Sequence, residues 1–258
     1  MNTKLHKNFI AGEWVEGVTA GLNINPSDTR DVIGEYSRAD AAQTEQAIES
    51  AYQAQKTWAQ WTAEQRSDAL DRIGTEVLAR RNELGELLAR EEGKTLAEGI
   101  GEVVRAGRVF KFFSGEVLRL AGEKLPSIRP GVDVEVTREP EGVVGIITPW
   151  NFPIAIPAWK IAPALAFGNA VVFKPADLVP GSAWALSEII ARAGQLPAGT
   201  FNLVMGPGSK VGQTLAHSRK VRALTFTGSV STGRSIGMTC MERGAKVQLE
   251  MGGKNPLL

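Results

Sequence analysis

The chain has 258 residues, 43% of them apolar, which is enough for one large domain or two modest ones with a substantial core. Its 29 Lys and Arg against 28 Asp and Glu leave a formal charge of +1, which removes the electrostatic case for nucleic acid or an anionic membrane as partner. Cys240 is the single cysteine, so no internal disulfide can form. The sequence also lacks a signal-peptide pattern and an apolar run long enough to span a bilayer, so a soluble cytoplasmic protein is expected.

In chain order, Phe9 to Val15 with its central Gly12 reads as a short β-hairpin, and Asn25-Pro26-Ser27-Asp28 as a turn. Helices are expected next. Asp40 is a candidate N-cap for a helix whose inner face carries Ile48, Ala51, Tyr52, Gln55 and Trp58. Thr62 with Gln65, and Thr95 with Glu98, have the spacing of capping boxes, the second opening a long helix that ends near Gly122. Most of the first 120 or so residues are therefore expected to be helical. Val132, Val134 and Val136 then alternate with charged or polar neighbours, the period of an antiparallel or exposed strand.

From Val143 onward, short apolar runs alternate with helical stretches. The runs are 143–147, 170–173, 201–204, 223–226 and 247–250, with helices expected near 153–166, 182–193, 209–217 and 229–242. Five buried strands joined by crossovers predict an α/β fold: a Rossmann-like parallel sheet with helices on both faces. Ligands of such sheets bind at the carboxyl ends of the strands, which makes the residues there informative.

The first run leads into Thr148-Pro149-Trp150-Asn151-Phe152-Pro153. The two prolines make a stiff turn, in which Asn151 either caps the turn or donates its amide to an oxyanion. The second run is followed by Lys174-Pro175-Ala176-Asp177, either ordinary surface charges or a ribose-binding pair. An acid here repels a 2′-phosphate and favours NAD over NADP. After the third run, Gly206, Gly208 and Gly212 form a Gly-x-Gly-x-x-x-Gly loop, which a plain turn explains equally well. After the fourth, Phe226-Thr227-Gly228-Ser229 opens a helix, giving an ordinary Ser N-cap or a pyrophosphate site. After the fifth, Glu250 precedes Gly252, Gly253, Lys254, Asn255 and Pro256; it is either a general base or a partner for Lys254.

Taken together, Pro149 to Pro153, Lys174 to Asp177, Phe226 to Ser229 and Leu249 to Lys254 resemble the aldehyde dehydrogenase superfamily, in order and spacing, over essentially the whole chain. The resemblance implies a coenzyme-binding part without the catalytic domain. Its expected pieces are a helical N-terminal part (1–122), a protruding oligomerisation hairpin (123–141) and a Rossmann-like core (142–258). It implies Asn151 as the oxyanion-hole amide and Glu250 as the general base. Ile147, Thr148, Pro149, Trp150, Lys174, Asp177, Gly208, Gly212, Phe226, Gly228 and Ser229 are then the contacts of NAD or NADP, and Phe152, Ile156 and Trp159 line the substrate tunnel.

No metal is expected. The implied reaction oxidises an aldehyde through a cysteine thiohemiacetal and thioester, and similarity to bacterial semialdehyde dehydrogenases implies a small acidic semialdehyde such as α-ketoglutaric semialdehyde. The implied full-length form is a homo-oligomer, a dimer or tetramer. Two departures stand out. The family's nucleophile lies farther beyond Glu250 than the eight residues that follow it here, and Cys240 precedes the motif as a core or interfacial cysteine. The chain alone is therefore expected to be a truncated, inactive coenzyme-binding module. Asp177 also stands where strict NAD users carry Glu, which leaves dual coenzyme use open.

Overall fold

A computed structural model describes residues 4–254 and Pro256; Asn255 of the terminal motif lies outside them. The chain opens with five short strands: β1 (Leu5–His6), β2 (Asn8–Ile10), β3 (Glu13–Val15), β4 (Thr19–Ile24) and β5 (Val32–Arg38). The expected hairpin is the β2–β3 pair. The sequence patterns give no sign of a second sheet, but β1, β5 and β4 form a separate three-stranded one. Its strands carry Gly21, Asn23 and Gly34, residues depleted in strands, and are held by pairing rather than by intrinsic preference.

Four helices follow: α1 (Ala41–Trp58), α2 (Ala63–Ala79), α3 (Arg81–Glu92) and α4 (Leu96–Val117). Asp40 caps α1 by accepting from the Gln43 amide at 2.9 Å, and both capping boxes form, Thr62 with Gln65 and Thr95 with Glu98. The buried stripe of α1 is Ala47, Ile48, Ala51, Ala54 and Trp58. Tyr52 falls outside it, one position around the helix, and its ring instead meets the ammonium groups of Lys56 and Lys220. Gly99 lets α4 cross α3 closely, since a Cβ there would lie 2.5 Å from the Gly85 carbonyl oxygen.

An exposed hairpin comes next, β6 (Glu123–Pro126) against β7 (Asp133–Val136). The remaining elements are β8 (Val143–Ile147), α5 (Ala155–Ala166), β9 (Ala170–Lys174), α6 (Pro180–Ala193), β10 (Phe201–Leu203), a π-helical turn at Gly208–Gly212 running into α7 (Gln213–His217), β11 (Val221–Gly228), α8 (Val230–Glu242) and β12 (Lys246–Met251). The sheet order is β12-β11-β8-β9-β10-β2-β3. The first five are the parallel strands expected, and the β2–β3 hairpin extends the sheet antiparallel beyond β10. Asn8 stitches that addition in place, its Oδ1 accepting from the Met205 amide at 2.7 Å.

Strand alternation divides the core into two layers. Val144, Ile146, Val171 and Phe173 face a layer built with α2, α4, α5 and α6, while Val143, Ile147, Ala170 and Val172 face α1, α7 and α8. Both faces being covered explains why these strands read as continuous apolar runs. Among the described residues no helix is long and apolar enough to cross a membrane.

Glu91, near the end of α3, is the charged residue most committed to this packing. Its carboxylate accepts from the amides of Gly181 (2.5 Å) and Ser182 (2.7 Å) in the first turn of α6, and from the Asn23 amide. Burial pushes this carboxyl up to about 7, against the opposing pull of those N–H donors. Because the folded value lies above the unfolded one, the fold takes up a proton. The contribution of Glu91 to stability is then full below about pH 4.5 and is lost as pH rises through about 7. Glu91→Ala strands the α6 amides and is expected to cost about 2–4 kcal/mol, with a gap from the native protein that is wider at about pH 5 than at about pH 8. Thermal unfolding at the two pH values checks this, and a gap that widens with pH would refute it.

Candidate functional site

The parallel strands end level with one another. Ile147 of β8 pairs with Lys174 of β9 on one side and Phe226 of β11 on the other, and Thr227 and Gly228 pair with Glu250 and Met251 of β12. A cleft of about 660 Å³ opens at this edge, lined by Thr148, Asn151, Phe226, Ser229 and Glu250 among others. A second, of about 490 Å³, lies between the π-helical turn and the start of α8 and shares Ile147, Lys174 and Thr232 with the first. Pro149, Trp150 and Gly228 line the first cleft, and Gly208 and Gly212 line the second. The structure thus brings together every predicted coenzyme contact except Asp177, which sits on the loop outside both clefts and reaches them only through Lys174.

The second cleft has the features of an anion cradle. The N-terminus of α8 faces it, and its first-turn amides carry the positive end of the helix dipole. Ser229 is the N-cap, its hydroxyl oxygen accepting from the Thr232 amide and its proton directed to Thr232 Oγ1 at 2.9 Å, so the helix amides rather than the Ser229 hydroxyl are left to meet a ligand. A Cβ on Gly208 would meet nothing within 4 Å, and one on Gly212 only Ile147 Cδ1 at 3.8 Å. Neither glycine is required by the packing, so the space in front of them is free for a ligand to approach the backbone. Thr148 Oγ1 is buried with no partner among the described residues and lines the first cleft. An open cradle at a helix N-terminus and an orphaned buried hydroxyl fit a dinucleotide laid along this edge.

Lys174 is buried, its ammonium donating to the Pro175 carbonyl at 2.6 Å and to Asp177 at 3.3 Å. Burial pushes its pKa down, and Asp177 opposes that shift. An ammonium has three donors, so one remains for a ligand hydroxyl.

Asn151 and Glu250 face the same cleft from opposite sides of β11. The loop bearing Asn151 is fixed by α4. Buried Glu102 accepts from the amides of Ile154 (2.9 Å) and Ala155 (3.0 Å) with one oxygen and from Lys94 (2.9 Å) with the other, and Lys94 also donates to the Asn151 carbonyl at 3.1 Å. The Asn151 carbonyl is therefore tied down while its side chain stays on the exposed face of the cleft.

Glu250 is oriented as well. Thr227 donates to one oxygen at 3.0 Å, Gln248 donates to the other at 2.7 Å, and the Lys160 ammonium stands 3.8 Å away. Lys160, held by Thr225 (2.7 Å) and Gln248 (3.1 Å), has its pKa pushed down by burial and partly restored by Glu250. The cationic neighbour of Glu250 is thus Lys160 of α5. A pair with Lys254, the alternative that the sequence also allows, does not form among the described residues.

Of the predicted tunnel residues, Phe152 is exposed under the Lys94 ammonium, Trp159 is half-buried under Arg105, and Ile156 is buried in the core. Cys240 is also buried, in α8, and burial pushes its thiol up despite nearby Arg243.

Sequence reasoning missed Lys94, Glu102, Lys160, Thr227 and Gln248. A signal existed for two of them: Lys160 interrupts an apolar helix, and Glu102 sits on the apolar stripe of α4. Charged residues in such places are rarely buried unless paired.

Comparison with known proteins places this geometry. Residues 14–258 match the aldehyde dehydrogenase family. The chain is 43% identical over 253 residues to alpha-ketoglutaric semialdehyde dehydrogenase of Bacillus subtilis, covering 97% of this chain and 52% of that protein. It is 39% identical to glutarate-semialdehyde dehydrogenase of Pseudomonas aeruginosa, with the same two coverages. The crystal structure of betaine aldehyde dehydrogenase from Staphylococcus aureus in complex with NAD+ superposes with a TM-score of 0.94 at 35% identity, covering 97% of this chain and 50% of that one. The chain spans about half the length of the curated relatives it matches.

Proposed function

The chain belongs to the aldehyde dehydrogenase family, and on that premise we propose that it is the coenzyme-binding half of an NAD(P)-dependent enzyme that oxidises a small acidic semialdehyde, such as α-ketoglutaric semialdehyde, to the carboxylate. The observation that carries the reading is the convergence of Asn151, Glu250 and an open anion cradle on one sheet edge.

NAD(P), when bound, would accept the hydride that leaves the thiohemiacetal carbon as the thioester forms. NAD is favoured, since Asp177, paired with Lys174 beside the clefts, disfavours a 2′-phosphate. The amides of α8 would hold the pyrophosphate, and Lys174, backed by Asp177 from outside the clefts, would hold the ribose hydroxyls. The nucleophile is a cysteine thiolate outside these 258 residues, which attacks the aldehyde to form a thiohemiacetal. The Asn151 amide, neutral at every working pH, donates to the resulting oxyanion. Glu250, held by Thr227 and Gln248, takes the proton from the thiol and later from the water that hydrolyses the thioester, and Lys160 keeps its carboxylate oriented. Phe152 and Trp159 form the apolar wall along which the substrate lies. The exposed β6–β7 hairpin, with Leu125, Val134 and Val136 uncovered, serves the homo-oligomer of the full-length form.

The test is NAD reduction by full-length protein with an acidic semialdehyde, run beside the 258-residue chain. The full-length protein is expected to turn over. The shorter chain is expected to give no aldehyde-dependent reduction, because its one thiol is buried away from the cleft. Turnover by the shorter chain would overturn this account of the nucleophile.

A further inference from the structure

The wall of the proposed substrate site holds a cation that the reaction does not use. Arg105 lies on α4, three residues beyond Glu102 and so on the same flank of that helix. Its guanidinium carbon stands 5.8 Å from the centre of the Trp159 ring, on the side where α4 meets α5. The other cations around the cleft already have partners: Lys94 with Glu92 and Glu102, Lys160 with Thr225 and Gln248, and Lys174 with Asp177. Among the described residues no carboxylate lies within ion-pair distance of Arg105, and its side chain is exposed. A guanidinium resting on an aromatic face is steadied by the ring while its N–H edge stays free to take a planar anion through two parallel hydrogen bonds.

The spacing suits a short bifunctional molecule. Asn151 lies on the loop that opens α5, and Trp159 is four residues into that helix, about 6 Å along its axis from Ala155. Phe152, exposed on the same loop, lies under the Lys94 ammonium.

We propose that Arg105 is the specificity residue that binds the distal carboxylate of an acidic semialdehyde whose aldehyde end lies at Asn151. This assignment rests on the aldehyde-oxidation reading above. Arg105 takes no part in bond making. Its contact with the carboxylate selects substrates that carry a charge at the far end, and Trp159 holds the guanidinium in place.

The test compares glutaric semialdehyde with pentanal, two five-carbon aldehydes that differ in the terminal carboxylate, as substrates of the full-length protein. The readout is the ratio of their kcat/KM values. Arg105→Gln is expected to lower that ratio on the order of 10- to 100-fold, mainly through KM for the acid. Arg105→Lys, which keeps the charge but loses the fork, is expected to fall between the two. A variant that is merely less stable loses activity on both substrates together and leaves the ratio unchanged, so an unchanged ratio overturns the proposal. Wild-type protein that oxidises both aldehydes equally well also overturns it, while leaving the aldehyde reading intact. Wild-type protein that oxidises neither overturns the reading beneath it.

Discussion

Glu250→Gln in the full-length protein is expected to lower kcat by about 10²- to 10⁴-fold, the range for loss of a positioned general base. The side-chain shape is kept but its chemistry is not. Thr227 and Gln248 both donate to the Glu250 carboxylate, so an amide at this position must turn its own NH₂ toward one of those donors. Lys160 at the same time loses the negative charge it faces at 3.8 Å. Glu250 does not line the second cleft, which holds the coenzyme cradle at the start of α8, so KM for NAD is expected to change little. Two measurements check this. Steady-state kinetics should place the loss in kcat. Rapid mixing should then show a burst of reduced coenzyme before a slow steady rate, because deprotonation of the hydrolytic water is the step that depends most on this base. A variant with near-native kcat would leave Glu250 as a structural carboxylate that pairs with Lys160 and does nothing more.

Asn151→Ala is expected to reduce kcat by about 10²- to 10³-fold, the usual consequence of removing one oxyanion donor. The backbone of this loop is held independently of the Asn151 side chain: Lys94 grips the Asn151 carbonyl, and Glu102 grips the next turn through Ile154 and Ala155. The substitution should therefore leave the loop in place and the thermal midpoint close to native. A donor that acts on the oxyanion rather than on the ground-state aldehyde gives a loss in kcat with KM nearly unchanged. A large rise in KM at constant kcat would instead make Asn151 a substrate-binding residue. Collapse of the fold would make it the turn cap that the sequence also allows.

Much of this site is legible in the sequence, because each of its main pieces is a local pattern. Two prolines bracketing Trp150 and Asn151, and Gly228-Ser229 opening a helix, declare rigid turns and a helix start from sequence neighbours alone. The buried strands are legible because both of their faces are covered, which leaves runs such as Val143 to Ile147 without polar interruptions. The groups that escape such a reading are those whose role depends on residues far away in sequence. The part of Lys160 is set by Gln248, 88 positions on, and that of Glu102 by Ile154, 52 positions on. Neither distance leaves a periodicity to read. The first sheet escapes for a related reason. β1, β4 and β5 are short, carry glycines, and are held by cross-strand pairing rather than by apolar alternation.

The sequence by itself determined the α/β class, the order of strands and helices from Val143 onward, the caps of α1, α2 and α4, and the candidates at each strand end. All of these follow from interactions within one turn or one strand. Only the tertiary structure decided that Glu250 answers to Lys160 rather than Lys254, that the Ser229 hydroxyl caps its own helix, that Cys240 lies buried away from the cleft, and that the Arg105 guanidinium lies over the Trp159 ring. The physical reason is that a side chain's chemistry is set by its exposure and by its nearest charges, and in a doubly covered parallel sheet those neighbours arrive from other strands and helices.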